Sequence, residues 1–260
     1  MPFTLAHPAA VLPLRRAPLM RAVPLIVGAM TPDVPYYFPW RLARHIPQET
    51  HTFLGTFTLD LPMGLAMLLL VWLLRAPLAA PIGPRAQAKC FAALERFGSR
   101  LSNWALAPLS ILIGAWTHLV WDSFTHADGW MVSRISALSA PVSFFSYTGE
   151  LCHVLQYVSS VFGLAVLAIW LARLPTPAPE PRREARPAGG LVLLAVLFAI
   201  AAAAGGAETL EHIIRHTPAR YRLFYLLLTR TTAWFALLYT IAGVVIVRGR
   251  RRGRLVTEIT

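Results

Sequence analysis

The stretch Trp104-Ala105-Leu106-Ala107-Pro108-Leu109-Ser110-Ile111-Leu112-Ile113-Gly114-Ala115-Trp116-Thr117-His118-Leu119-Val120-Trp121-Asp122-Ser123-Phe124-Thr125-His126 runs from an apolar segment into two imidazoles and a carboxylate. Its apolar part approaches the roughly 20 residues that a bilayer-spanning helix needs. On a helix, His118, Asp122 and His126 are successive i, i+4 neighbours and project from roughly one side. Ionisable groups in such surroundings cost free energy unless they are paired, hydrated or bound to a cation. Two readings follow. The three residues are half of a metal site completed by His and Asp residues from the N-terminal third, or they are a polar cap where a helix meets water. Two His and one carboxylate form a common ligand set for a divalent metal.

The surrounding composition decides the class. The chain has 260 residues, of which 56% are hydrophobic and only 14% charged, whereas soluble domains carry about a quarter charged residues. The apolar residues fall in blocks, and the expected fold is all-α: a multi-pass transmembrane helical bundle. Five clear spans are expected, at 59–74, 104–120, 151–172, 191–207 and 223–247. A short N-terminal helical hairpin or extra span precedes them.

The formal charge of +12 needs no nucleic acid, because its arginines cluster by connection. The segment 75–103 holds five Lys and Arg, the segment 173–188 four and the tail from Arg248 to Arg254 five, fourteen in all. The alternate connections hold six: Arg41 and Arg44, then Arg134, then Arg215, Arg220 and Arg222. The positive-inside rule makes the first set cytoplasmic. The His118 stretch then faces outward, and the C-terminus is cytoplasmic. Arg15 and Arg16 stand against an external N-terminus. Cys90 and Cys152 fall on opposite faces, so no disulfide between them is expected.

Residues 1–172 read as a membrane-embedded metal-site domain. Residues 173–190 form a cytoplasmic Pro/Ala/Arg-rich linker, and 191–260 a two-helix transmembrane hairpin with a basic cytoplasmic tail. Val27-Gly28-Ala29 loosely resembles a signal-peptidase site. However, Pro8, Pro13, Pro18 and Pro24 chop that segment. Two short helical pieces fit better, with Thr4 or a neighbour capping the first and a turn at Arg15 to Pro18. Such a hairpin returns His7 and Asp33 to the same side.

Further candidates share that outer face. In Thr31-Pro32-Asp33-Val34-Pro35 the prolines stiffen the backbone and present Asp33 rigidly, unless it is simply a turn residue. His51 lies in Glu49-Thr50-His51-Thr52. Asp60 opens the first clear span and reads as a helix N-cap or first-turn carboxylate. His45 reads as solvated. Imidazoles and carboxylates together suit zinc, manganese or iron, and this many ligands could hold two ions. Glu208, His212 and His216 repeat the i, i+4, i+8 pattern, but they read as ordinary helix-surface residues. Arg230, inside the last span, snorkels or meets Glu208 or Asp60, with snorkelling the default. No Gly-rich phosphate loop, Gly-x-Ser-x-Gly elbow or Cys-His nucleophile pattern is present.

The opening Met1-Pro2-Phe3-Thr4-Leu5-Ala6-His7-Pro8-Ala9-Ala10, the turn Thr31-Pro32-Asp33, Thr50-His51-Thr52 and Thr117 to His126 resemble a bacterial membrane family catalogued as domain of unknown function 4184. The resemblance covers roughly residues 1–172 and implies no activity. The order His, Pro-Asp, Thr-His, His-x-x-x-Asp is also distantly similar to bacterial membrane-bound metal-dependent hydrolases. That likeness implies ligand roles for His7, Asp33, His51, His118 and Asp122. The family pattern implies a His where this chain has Tyr157, and His153, one turn earlier, is the candidate substitute.

The expected function is an outward-facing site for a divalent metal, zinc or manganese, hydrolysing an ester or phosphoester in a lipid or envelope substrate. The expected location is the bacterial inner membrane, and the expected metal ligands are His118, Asp122, Asp33, His51, His7 and His126. The rival is a non-enzymatic membrane protein whose His/Asp cluster is structural, metal-sensing or part of a transport element. The spans carry few polar residues below the outer face, which counts against transport.

Overall fold

The computed structural model describes residues 4–38, 46–145, 147–177, 190–215 and 220–257. His45, His216 and linker residues 178–189 lie outside them. In chain order the helices are α1 (Pro8–Val11), α2 (Ala22–Met30), α3 (Ile46–Thr50), α4 (Phe53–Gly55), α5 (Leu61–Leu73), α6 (Arg75–Ala79), α7 (Pro84–Gly98), α8 (Leu101–Ala105) and α9 (Ala107–Thr125). An antiparallel pair follows, β1 (Pro141–Phe144) and β2 (Tyr147–Glu150), in register Pro141 to Glu150 and Phe144 to Tyr147. Then come α10 (Leu151–Arg173), α11 (Gly190–Arg215) and α12 (Arg220–Thr257). Contact patterns divide the chain into one unit of Met1–Pro35, Ala43–Leu69 and Phe97–Leu174, and another of Tyr36–Leu42, Leu70–Arg96 and Pro175–Thr260.

Among the described residues four helices are long and apolar enough to cross a membrane: Phe53–Leu73, Leu151–Arg173, Gly190–Ile214 and Leu223–Arg250. This is a helical membrane protein. The fifth expected span, α9, has 19 residues but is not among the four, because Ser110, Thr117, His118, Asp122 and Ser123 dilute its apolar character. The N-terminal segment is a hairpin of short pieces rather than an extra span: α2 has nine residues, far short of a bilayer's thickness. The all-α expectation also missed the β-hairpin. There Val142, Tyr147 and Thr148 favour extended backbone, and Phe145 turns the chain at φ 48°.

The first unit is built on the crossing of α2 and α9. Lipid tails are as apolar as leucine, so helices in a bilayer gain little from apolar contact alone and depend on close packing. Here glycine permits it from both sides. A Cβ on Gly28 would stand 2.1 Å from the Ile111 carbonyl oxygen, and one on Gly114 would stand 2.4 Å from that of Leu25. Around the crossing, Val27, Leu68, Phe97, Ala107 and Ile111 form one buried cluster, and Val11, Leu25 and Ala29 form another. Pro108 lies in the first turn of α9, where no intrahelical acceptor awaits an N–H. The helix ends at His126, whose backbone is extended and whose N–H bonds the Asp122 carbonyl.

In the second unit α11 packs along α12, and Tyr239 Oη donates to the Leu78 carbonyl at 2.6 Å. Arg230 meets Glu208, one of the two carboxylates expected for it. It donates to the carbonyls of Phe38 at 2.7 Å and Tyr36 at 3.4 Å, and its Nε lies 4.0 Å from Glu208 Oε2. Glu208 Oε1 also accepts from Trp234 Nε1 at 2.9 Å. The partly buried guanidinium thus has backbone and carboxylate acceptors close at hand.

Candidate metal centre

Three short segments bring polar groups to the C-terminal end of α9. His7 stands between a 3-10 turn at Thr4–Ala6 and α1. Asp33 lies in the 3-10 stretch Thr31–Tyr37 that continues α2, where Pro32 and Pro35 restrict the backbone. His51 follows α3, and His118 and Asp122 lie one turn apart on α9. His118 and Asp33 are fully buried, His7 and Asp122 nearly so, and His51 is partly exposed.

One atom from each of Asp33, His51, His118 and Asp122 lies within 4.8 Å of the other three. His118 Nε2 is 3.6 Å from Asp33 Oδ1 and 3.4 Å from Asp122 Oδ2. His51 Nε2 is 3.5 Å from Asp33 Oδ1 and 3.7 Å from Asp122 Oδ2. Good hydrogen bonds between these atom types are roughly 2.7–3.2 Å long, so every one of these separations is too long. Donors about 2.1 Å from a shared tetrahedral ion stand roughly 3.4 Å apart. The cluster therefore has the dimensions of a ligand set. Asp33 Oδ1 and His118 Nε2 also lack any hydrogen-bond partner despite burial, which fits the same reading. A purely structural cluster would leave them costly.

The imidazoles are oriented from behind. His118 Nδ1 lies 2.8 Å from the Ala29 carbonyl, and His51 Nδ1 lies 2.7 Å from that of Pro47. A carbonyl only accepts, so each Nδ1 carries a proton and each Nε2 faces the centre, the usual arrangement behind a metal-ligating His, whose Nε2 would give up its proton to a bound cation. Thr4 Oγ1 donates to Asp33 Oδ2 at 2.7 Å. That corrects the expected cap: Thr4 caps no helix but steadies a carboxylate, and the N-cap of α1 is His7, with no side-chain bond.

His7 and His126 flank Asp122. His7 Nε2 is 3.6 Å from Asp122 Oδ1, and its ring stacks on that of His118 with centroids 3.7 Å apart. Burial, then the nearby His118 charge, lowers the His7 pKa to about 3, so the ring is neutral at pH 7. Burial would raise the Asp33 pKa, but the charge of His118 and the His51 contact outweigh it and hold the carboxyl below its ordinary value. His126 Nδ1 lies 3.6 Å from Asp122 Oδ2 and 3.1 Å from the Asp122 carbonyl, while its Nε2 lies 3.5 Å from Gln156 Nε2. Burial also lowers the His126 pKa.

A family model described as Domain of unknown function (DUF4184) matches residues 1–247. The chain belongs to this family. No curated protein and no solved structure matches it. The DUF4184 match extends beyond residue 172, the end of the resemblance read from the sequence, and takes in α11 and most of α12.

In this DUF4184 chain Tyr157 is exposed. His153 instead groups with Glu150 and Cys152, whose Sγ lies 3.5 Å from Glu150 Oε2. The α10 residue that meets the centre, through His126, is Gln156, which sequence reasoning passed over. Its signal was a lone amide in an apolar helix. Asp60 corrects a second expectation. The helix starts at Phe53, with Thr52 Oγ1 accepting from the Gly55 N–H as its cap. Asp60 therefore lies about two turns further in, within the π-helical turn Thr56–Asp60. It is fully buried, and neither carboxylate oxygen has a hydrogen-bond partner. π-Turns inside helices often mark functional sites.

Proposed function

We propose that this membrane protein holds a divalent cation, zinc or manganese, between Asp33, His51, His118 and Asp122, and that it hydrolyses an ester or phosphoester in a lipid or envelope substrate. The observation that carries the reading is the set of four donor atoms spaced for a shared ion, with both imidazoles held through Nδ1 so that Nε2 faces the centre. A bound divalent cation supplies Lewis acidity and activates water near neutral pH. The chain's own residues orient the ligands: Ala29 and Pro47 through their carbonyls, and Thr4 through its hydroxyl. His126, at the open edge beside Asp122, is the side chain placed to take up a proton. The apolar helices bring the site to lipids, the arginine-rich connections favour the site outside and the C-terminus in the cytoplasm, and the resemblance to a bacterial membrane family makes the bacterial inner membrane its expected location.

The test is elemental analysis of detergent-purified protein beside a folded His118→Ala/Asp122→Ala variant, followed by a phosphoesterase and esterase screen of both. Stoichiometric zinc or manganese that is lost in the variant, with hydrolysis lost alongside it, supports the proposal. A wild type that neither contains nor takes up metal overturns it. Orientation is checked with a membrane-impermeant maleimide, since Cys90 is exposed and Cys152 buried. Labelling is expected in inverted vesicles and not in intact cells.

A further inference from the structure

Asp122 offers its two oxygens to different neighbours. Oδ2 lies 3.4 Å from His118, 3.7 Å from His51 and 3.6 Å from His126. Oδ1 lies 3.6 Å from His7 Nε2. We infer that a second divalent cation binds on this other side, held by Asp122 Oδ1 and His7 Nε2, so that the Asp122 carboxylate bridges two ions. The inference rests on the proposed cation between Asp33, His51, His118 and Asp122, and it assigns His7 a place that the four-donor set leaves open.

Three observations carry it. Asp122 Oδ1 and both nitrogens of His7 are buried and have no hydrogen-bond partner, and unpaired polar atoms away from water are costly unless something binds them. The separation of 3.6 Å between them matches that within the four-donor set and is again too long for a good hydrogen bond. His7 also lines a cavity of about 130 Å³ together with Ala6, Ala9, Ala10, Ser159 and Phe162. Apart from His7 and Ser159 its lining is apolar, so the open side of a cation held by His7 and Asp122 would face room for the apolar part of a ligand rather than another protein donor. Stacking of His7 on His118 keeps the two metal-facing imidazoles side by side. Pairs of divalent ions in hydrolytic sites stand roughly 3.5–4 Å apart, a spacing that a bridging carboxylate sets.

The experiment strips full-length protein in detergent with chelator and then titrates it with Mn²⁺. Bound manganese is counted after equilibrium dialysis, and electron paramagnetic resonance reports coupling between ions. Two Mn²⁺ per wild-type chain with a spin-coupled spectrum, falling to one uncoupled Mn²⁺ in His7→Gln, is the expected result. One uncoupled Mn²⁺ in the wild type overturns the second site and leaves the four-donor centre standing. No bound Mn²⁺ overturns both. Two coupled ions that persist in His7→Gln overturn the assignment of His7. The wild-type count and spectrum decide the question even where His7→Gln does not fold.

Discussion

His118 Nδ1 and the Ala29 carbonyl, 89 positions apart in sequence, lie 2.8 Å apart. The contact fixes the tautomer that turns Nε2 to the centre, and it exists because α2 and α9 approach closely at Gly114, one turn before His118. A Cβ on Gly114 would stand 2.4 Å from the Leu25 carbonyl oxygen and 2.7 Å from the Ala29 nitrogen. Both contacts are with backbone, which cannot swing aside. Gly114→Ala is therefore expected to lower stability by about 1–3 kcal/mol, the range for overpacking. It should also weaken metal binding about 10- to 100-fold, as disturbing the group behind a ligating His does. Thermal unfolding in detergent and competition with a chromophoric chelator read the two effects. Unchanged metal affinity would show that the crossing does not set the His118 geometry.

Thr4 reaches the same centre from the other end of the chain. Its hydroxyl is the partner of Asp33 Oδ2, and both residues are buried. Thr4→Val keeps the shape and leaves that oxygen unpaired. The expected cost is about 1–3 kcal/mol for an unsatisfied buried acceptor, with metal affinity down about 10-fold or more. Thr4→Ser, which restores the hydroxyl, should recover most of the affinity. If Val and Ser variants bind metal equally well, the hydroxyl has only a packing role.

Much of this centre was legible in the sequence because its chemistry is carried by rare residue types. In a chain with so few charges, His118 and Asp122 one turn apart at the end of an apolar run stand out. Proline-flanked Asp33 and His51 stand out for the same reason. What periodicity could not give was which backbone groups close the shell. The partners of His118 and His51 are carbonyls of Ala29 and Pro47, and a carbonyl has no sequence signature. Thr4 was misread because a threonine before a short helix ordinarily caps it, and only the tertiary approach of Asp33 offers it a better acceptor. Asp60 was misplaced because the apolar run begins at Leu59, while the helix extends back to Phe53, where Thr52 supplies the cap. The β-hairpin is too short for a pattern of alternation to show.

Asp60 yields its own test. A carboxylate that is fully buried with both oxygens unpartnered opposes folding, so its retention points to a use that is not stability. Asp60→Asn removes the charge at nearly constant shape. The expected outcome for metal-free protein is a gain on the order of 1 kcal/mol, read as a higher unfolding midpoint. A clear loss of stability would mean that the charge is compensated by the nearby imidazoles and belongs to the centre's electrostatic balance.

Acid sensitivity follows from His7. Its pKa falls from 6.5 to about 3 on folding, chiefly through burial. Between those values the unfolded chain binds a proton that the native chain does not, so stability rises with pH across that window and is lost as pH falls. One such group contributes a slope of at most about 1.4 kcal/mol per pH unit. Asp33, whose pKa is also lowered, adds a loss of the same sign below pH 3.8. His7 therefore contributes a progressive loss of stability in chelator-treated wild type as pH drops from 6.5 toward 3. His7→Phe, which keeps a flat ring against His118 but cannot bind a proton, should flatten that dependence by about one proton above pH 4. Denaturant midpoints measured for both proteins across the window decide it, and parallel curves would show that His7 does not titrate on unfolding.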